Sequence, residues 1–189
     1  MDPSLKKCVT TLAVLLFAPY IVAYPNGLVQ EACTTMEPNH GVSAQTSKAP
    51  YTLQLSKSTY NPGDNITVTL SSNPGATPFK GFMIQARAGN STTPLGSFQI
   101  NSPDAQLLTC TTAASAVSHT SDSLKTSVQV TWIAPHTIVP NVQLRATVVQ
   151  IRSTYWLNVT SENGSQLLTP AKSLILLCTT LLTLTLYRI

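Results

Sequence analysis

Period-two alternation of apolar residues is the feature that most narrows what this chain can fold into. Ile66, Val68 and Leu70, then Val128, Val130 and Trp132, then Leu144, Ala146 and Val148 put every second side chain on one side of an extended backbone. Tight reversals punctuate the pattern. Asn61-Pro62-Gly63-Asp64, Asn73-Pro74-Gly75, Ala88-Gly89-Asn90 and Pro103-Asp104 each combine residues that favour turns. Strands are therefore expected near 51–57, 65–71, 80–88, 95–100, 107–110, 113–119, 126–134, 142–151 and 155–159. Short strands at this spacing, with no amphipathic helical segment between them, make an all-β antiparallel β-sandwich. Its core is expected to take Leu53, Ile66, Val68, Leu70, Phe82, Ile84, Val117, Val130, Trp132, Ala146 and Val148.

The two ends read differently. Only 10% of the residues are charged, well below the usual ~25%, which argues against a solvated disordered chain or a long coiled coil. The apolar surplus collects at the termini. Lys6 and Lys7 precede an uncharged run from Cys8 to Ala23, which reads as a signal peptide over 1–23 cleaved before Tyr24. The competing reading, an N-terminal membrane anchor, needs an apolar run of ~20 residues, longer than this one. At the other end Asn163-Gly164-Ser165 and a spacer, within a linker and attachment region over 161–172, lead into an apolar tail over 173–189. Those are the parts of a glycosylphosphatidylinositol attachment signal, with Asn163, Gly164 and Ser165 as candidate anchor residues. A transmembrane helix competes, but roughly 15 apolar residues at ~1.5 Å each span roughly 22 Å, short of a ~30 Å hydrocarbon core. On both readings the globular part faces outward.

Removing the ends changes the electrostatics. Between residues 24 and 165 seven bases stand against six acids, a net of +1 compared with +4 for the whole chain. Nucleic-acid binding, which needs a clustered basic stripe, has no support. Of the four cysteines, Cys8 falls in the leader and Cys178 in the tail, so Cys33 and Cys110 are expected to pair in an oxidising compartment. The alternative is two separate buried thiols. Asn65-Ile66-Thr67, Asn90-Ser91-Thr92, Asn158-Val159-Thr160 and Asn163-Gly164-Ser165 all match the N-glycosylation pattern. The expectation is a surface glycoprotein, although Asn163 overlaps the proposed anchor site.

A family resemblance follows from order and spacing across most of the interior. Cys33 with Met36, Pro38 and His40, then Tyr60-Asn61-Pro62-Gly63, Gly81-Phe82-Met83-Ile84-Gln85-Ala86-Arg87, Gly96-Ser97-Phe98 and Cys110 form its first half. Val117-Ser118-His119, Val130-Thr131-Trp132-Ile133-Ala134-Pro135, Ala146-Thr147-Val148-Val149 and Tyr155-Trp156 complete it. Together they resemble the reeler domain, over residues 24–160. The resemblance implies an immunoglobulin-like sandwich. Such domains occur in reelin, in spondin-type matrix proteins, in small insect defence proteins, and ahead of the haem-binding and membrane domains of ferric-chelate reductase-like proteins. Nothing between the domain and the tail offers room for those further domains, so reductase activity is not expected to transfer.

Chemistry is thinly represented. His40, His119 and His136 are the only histidines, and none sits in a recognisable catalytic or zinc motif. Met36, His40 and His119 could be assembled into a copper site, since thioether and imidazole suit that metal. The plainer reading is that they hold the N-terminal segment against the sheet near Cys110 through hydrogen bonds. No metal, cofactor or catalytic residue is expected. Gln85 and Arg87 should point away from the core, available to a partner or to an acid within the domain. Trp132 reads as a core tryptophan, with Tyr155-Trp156 closing one end. The remaining function classes are a membrane-anchored adhesion module presenting loops 72–79, 89–94 and 135–141, and an innate-defence protein that contacts microbes. The partner is correspondingly an extracellular protein, matrix or a microbial surface.

Overall fold

The computed structural model describes residues 25–160 and 169–170 of the 189-residue chain. The expected leader, the apolar tail and the candidate anchor residues Asn163, Gly164 and Ser165 lie outside the described residues. No helix among the described residues is long and apolar enough to cross a membrane.

The alternating segments form two antiparallel sheets. In chain order the strands are β1 Tyr51–Leu55, β2 Thr59–Tyr60, β3 Asn65–Ser72, β4 Gly81–Ala88, β5 Ser97–Ile100, β6 Ala105–Leu108, β7 Ala116–His119, β8 Ser127–Ile133, β9 Val142–Ile151, β10 Thr154–Val159 and β11 Thr169–Pro170. One sheet runs β1-β3-β8-β5 and the other β10-β9-β4-β7-β6, while β11 pairs in parallel with β2. A short 3-10 helix, Gln30–Cys33, precedes them.

Register explains why the alternation survives as a core. Ile66 lies opposite Trp132, Val68 opposite Val130 and Leu70 opposite both Val128 and Leu53. From the facing sheet come Phe82 opposite Val148 and Ile84 opposite both Ala146 and Val117. Every residue expected in the core belongs to this one buried cluster. Aromatic edges fill its ends. Tyr60 meets Trp132 edge-on at 5.8 Å, Tyr51 meets Trp156 at 5.4 Å, and the Trp132 indole donates to the Leu95 carbonyl at 2.9 Å.

β1 ends at Leu55 and β5 begins at Ser97, both shorter than expected, and the largest departures are at β6 and β7. β6 begins at Ala105, not at 107, and the ladder breaks before β7 starts at Ala116. Between them the Ser115 hydroxyl accepts from the amides of Cys110 and Thr111, and Ala114 adopts a positive φ of 57°. Those amides are thus spent on a turn and cannot serve a ladder.

The antiparallel register defines two poles. At the first, called the open pole, lie the start of β4, the ends of β3 and β9, and connections 73–80, 101–104, 120–126 and 152–153. At the opposite pole lie the end of β4, the starts of β3 and β9, and connections 61–64, 89–96 and 134–141. The loops expected to act together, 72–79, 89–94 and 135–141, are therefore divided between opposite ends. β11 clips onto β2 at the second pole.

Ile84 is fully buried between Ala146 and Val117. Replacing it with alanine is expected to cost about 2–5 kcal/mol. In urea denaturation the midpoint should fall while the slope stays unchanged.

Candidate functional site

β4 is buried along both faces, from Gly81 through Arg87. One face is the sandwich core. The other is covered by the N-terminal segment 25–48, which acts as a strap. The strap begins at Gly27, whose carbonyl accepts from the Ser118 hydroxyl at 2.6 Å. It descends to Cys33, bridged to Cys110 across a Cα–Cα distance of 5.4 Å. There it turns and climbs back. The Met36 carbonyl accepts from the Thr147 hydroxyl, Val42 O accepts from Tyr155 Oη at 2.9 Å, and Gln45 N donates to the Tyr155 carbonyl at 2.8 Å.

Two glycines allow this close approach. Gly27 has φ +67°, and a Cβ there would overlap the His119 carbonyl oxygen. At Gly81 a Cβ would come within 3.1 Å of the His119 ring, which packs over the start of β4. His119 Nδ1 lies 3.2 Å from both the amide nitrogen and the carbonyl oxygen of Phe82.

The strap overturns the expectation for Gln85 and Arg87. They do point away from the core, but they are 0% and 4% exposed, and no acid pairs with Arg87 among the described residues. Arg87 donates to the carbonyls of Cys33 at 2.8 Å and Thr34 at 3.0 Å and to Gln85 Oε1 at 2.8 Å; Gln85 Nε2 donates to Cys33 O at 3.0 Å. These bonds answer the carbonyls freed where the 3-10 helix ends. Burial, then the nearby Arg145 cation, lowers the Arg87 pKa.

Lys125, another base counted as surface charge, is also buried. Its ammonium donates to the carbonyls of Ser121 at 2.7 Å, Ser123 at 2.8 Å and Lys80 at 3.1 Å, and so ties connection 120–126 to the start of β4. Sequence reasoning had no signal for either buried cation.

Between the two limbs of the strap a cleft of about 650 Å³ opens at the open pole. Met36, Met83, Val149 and Ile151 contribute apolar wall, and Lys80 and Arg152 contribute charge. Met36, His40 and His119 all line it, so the structure brings the three candidate ligands to one place. His119 is turned to the Phe82 backbone, His40 stands edge-on to Tyr155 at 6.0 Å, and no cluster of three His, Cys, Asp or Glu able to hold a metal occurs among the described residues. His136 is far in the fold, beside Gly63 at the second pole.

Tyr155 and Trp156 face opposite sides of their sheet. Trp156 enters the core, while Tyr155 holds the strap and donates to Glu37 Oε1 at 3.0 Å. Burial and Glu37 together push the Tyr155 phenol up to about 12. The sequon asparagines Asn65, Asn90 and Asn158 are exposed. Asn65 and Asn90 stand at the second pole and Asn158 near the end of edge strand β10, so none lies at the open pole.

Removing the bridge by Cys33→Ser with Cys110→Ser, across a sequence separation of 77, should cost about 2–5 kcal/mol. Arg87→Met should cost about 1–3 kcal/mol by stranding the carbonyls of Cys33 and Thr34. Both are read by thermal or urea unfolding, with strap amides losing hydrogen-exchange protection first. Burial holds the His40 imidazole below its ordinary 6.5; the Arg152 carbonyl opposes this, and the Arg152 cation adds to it. The unfolded chain therefore binds that proton more readily than the folded one. The contribution is complete above 6.5 and is lost as pH falls through the folded value. Unfolding measured between about pH 7 and 5 should show a steeper fall for the native chain than for His40→Gln.

Comparison with known proteins agrees with this architecture. The family model of the Reeler domain matches residues 31–171, reaching past residue 160 to take in β11. Ferric-chelate reductase 1 of Homo sapiens is 41% identical over 160 residues, covering 82% of this chain but 26% of that protein. The chain spans about a quarter of the length of such relatives. "Putative defense protein 3" of Antheraea mylitta is 34% identical over 139 residues, covering 74% of this chain and 84% of that one. The human F-spondin reeler domain superposes with a TM-score of 0.53 at 28% identity, over 64% of this chain and 87% of that structure. The family model over most of the chain, together with relatives at 34–41% identity, shows that this chain belongs to the reeler domain family.

Proposed function

We propose that this protein is an extracellular, membrane-anchored glycoprotein whose single reeler domain is a binding module with its recognition surface at the open pole. The observation that carries this reading is the division of labour between poles. β11 pairs with β2 at the second pole, Asn65 and Asn90 stand at that end, and Asn158 lies about midway along edge strand β10's pairing with β9, away from the open pole. The open pole bears the cleft, the Lys125-tied connection and exposed Leu124, 65% accessible. Glycans and a tail anchor, acting from the second pole, would leave the open pole clear for a protein, matrix or microbial ligand. Rigid loops on a sandwich suit that task.

No reductase role is proposed, since the reductase relatives extend far beyond the matched segment. A defence role is the second reading. It is favoured by the likeness to the Antheraea mylitta protein, 84% of which aligns here at 34% identity.

Treating expressing cells with phosphatidylinositol-specific phospholipase C should release the protein; retention on the membrane would instead support a spanning tail. Binding of the released form to cells, matrix or bacteria should fall at least tenfold in Leu124→Glu and stay unchanged in Asn90→Gln. Equal binding by both variants would remove the open pole from the reading.

A further inference from the structure

We propose that connection 120–126 is a monovalent-cation loop whose resident ion is the Lys125 ammonium, and that this ion positions Leu124 at the open pole. Once the Lys125 side chain is removed, the same cage takes a free alkylammonium ion from solution. The inference deepens the open-pole reading and rests on it only for what Leu124 meets.

The cage is visible in its distances. Four oxygens converge on Lys125 Nζ: Ser121 O at 2.7 Å, Ser123 O at 2.8 Å, Lys80 O at 3.1 Å and Ser123 Oγ at 3.3 Å. An ammonium carries three N–H donors and no acceptor, so this set meets its whole donor capacity. Lys125 is 3% exposed, and a charge so covered needs acceptors held in fixed positions. No carboxylate forms an ion pair with it among the described residues; Asp104 and Asp122 add a negative field from farther out.

The donor set also selects the ion. Main-chain carbonyls are the groups with which proteins replace the water around potassium-sized cations. All four oxygens stand farther from the charge than the roughly 2.3–2.6 Å of calcium sites or the roughly 2.0–2.1 Å of magnesium sites. A single charge of ammonium size fits.

The loop has little else to shape it. Lys125 is the one buried residue of Thr120-Ser121-Asp122-Ser123-Leu124-Lys125-Thr126. Its base is closed by Phe79 and Lys125, each of whose amides donates to the other's carbonyl, at 2.9 and 2.8 Å. Above that base the carbonyl and hydroxyl of Ser123 and the side chain of Lys125 all turn inward to the cage. Leu124, between them, is left facing out, 65% exposed. Without the ion three carbonyls would face one another with no donor, and turning them to water would carry Leu124 with them.

The test uses the full chain from a secreting host carrying Lys125→Ala, which deletes the atoms from Cγ to Nζ, and n-propylammonium, which supplies the same atoms. Hydrogen exchange at the Phe79 and Lys125 positions should speed up about tenfold or more in the variant and return to near the native rate with saturating propylammonium. Any ligand binding at the open pole should be lost and regained in step. Propanol has the shape without the charge, tetramethylammonium the charge without N–H donors, and calcium the wrong size; none should restore protection. Lys125→Met, which fills the channel with an uncharged chain, should stay unprotected in propylammonium. If Lys125→Ala is recovered unfolded, its refolding yield in propylammonium against propanol makes the same comparison. Equal restoration by propanol would overturn the cation, and no restoration by propylammonium would overturn the cage. Restored exchange with ligand binding indifferent to Leu124→Glu would leave the cage standing and fail the open-pole reading instead.

Discussion

A buried guanidinium met by main-chain carbonyls is the interaction on which the rest of this structure depends. A two-layer sandwich can leave the outer face of each sheet to water, and a polar pair such as Gln85 and Arg87 would ordinarily sit there. Here the strap covers that face, and a covered cation needs acceptors in fixed positions. The carbonyls of Cys33 and Thr34 supply them, and the Cys33–Cys110 bridge keeps them in place. Each element makes the other tolerable. Without Arg87 the strap would carry unanswered carbonyls, and without the strap Arg87 would be an ordinary surface charge. The cleft exists because the strap is pinned near Cys33 and again at Tyr155, leaving its limbs apart.

The sandwich itself was legible in the sequence for a simple physical reason. A sheet with one face on the core must alternate, and Ile66, Val68 and Leu70 or Val128, Val130 and Trp132 could not alternate by accident of composition alone. β9 was legible to the residue, Val142–Ile151, with Leu144, Ala146 and Val148 alternating along it. The strap was not. Residues 25–48 have no period, since they meet the sheet through main-chain atoms and a few long side chains. Backbone contacts of that kind leave no hydrophobic pattern. For the same reason Arg87 read as a candidate for partners, and Lys125 as one charge among seven. Their burial is set by carbonyls that a residue string does not display. Met36, His40 and His119 were singled out together, and they do share a cleft, with His119 turned to the Phe82 backbone. Thr59–Tyr60 was too short to be seen without its distant partner at 169–170.

Relatives built on this domain differ greatly in length. An Antheraea mylitta protein is little more than the domain, while the human reductase devotes about a quarter of its chain to the matched region. In this chain the fold is held by a large core between the sheets, a covalent bridge, and an ammonium cage that closes one end.

The parallel pairing of β11 with β2 has a mechanical consequence. Tension applied to the chain beyond Pro170 reaches this two-residue ladder first, and on its rupture passes to edge strand β10. β10 also carries Tyr155, which holds the returning limb of the strap, whereas the strap's covalent tie runs to the β6–β7 hairpin on the far side of the same sheet. The small ladder thus works as a mechanical fuse: a tug from the tail would open it while the opposite end keeps its shape.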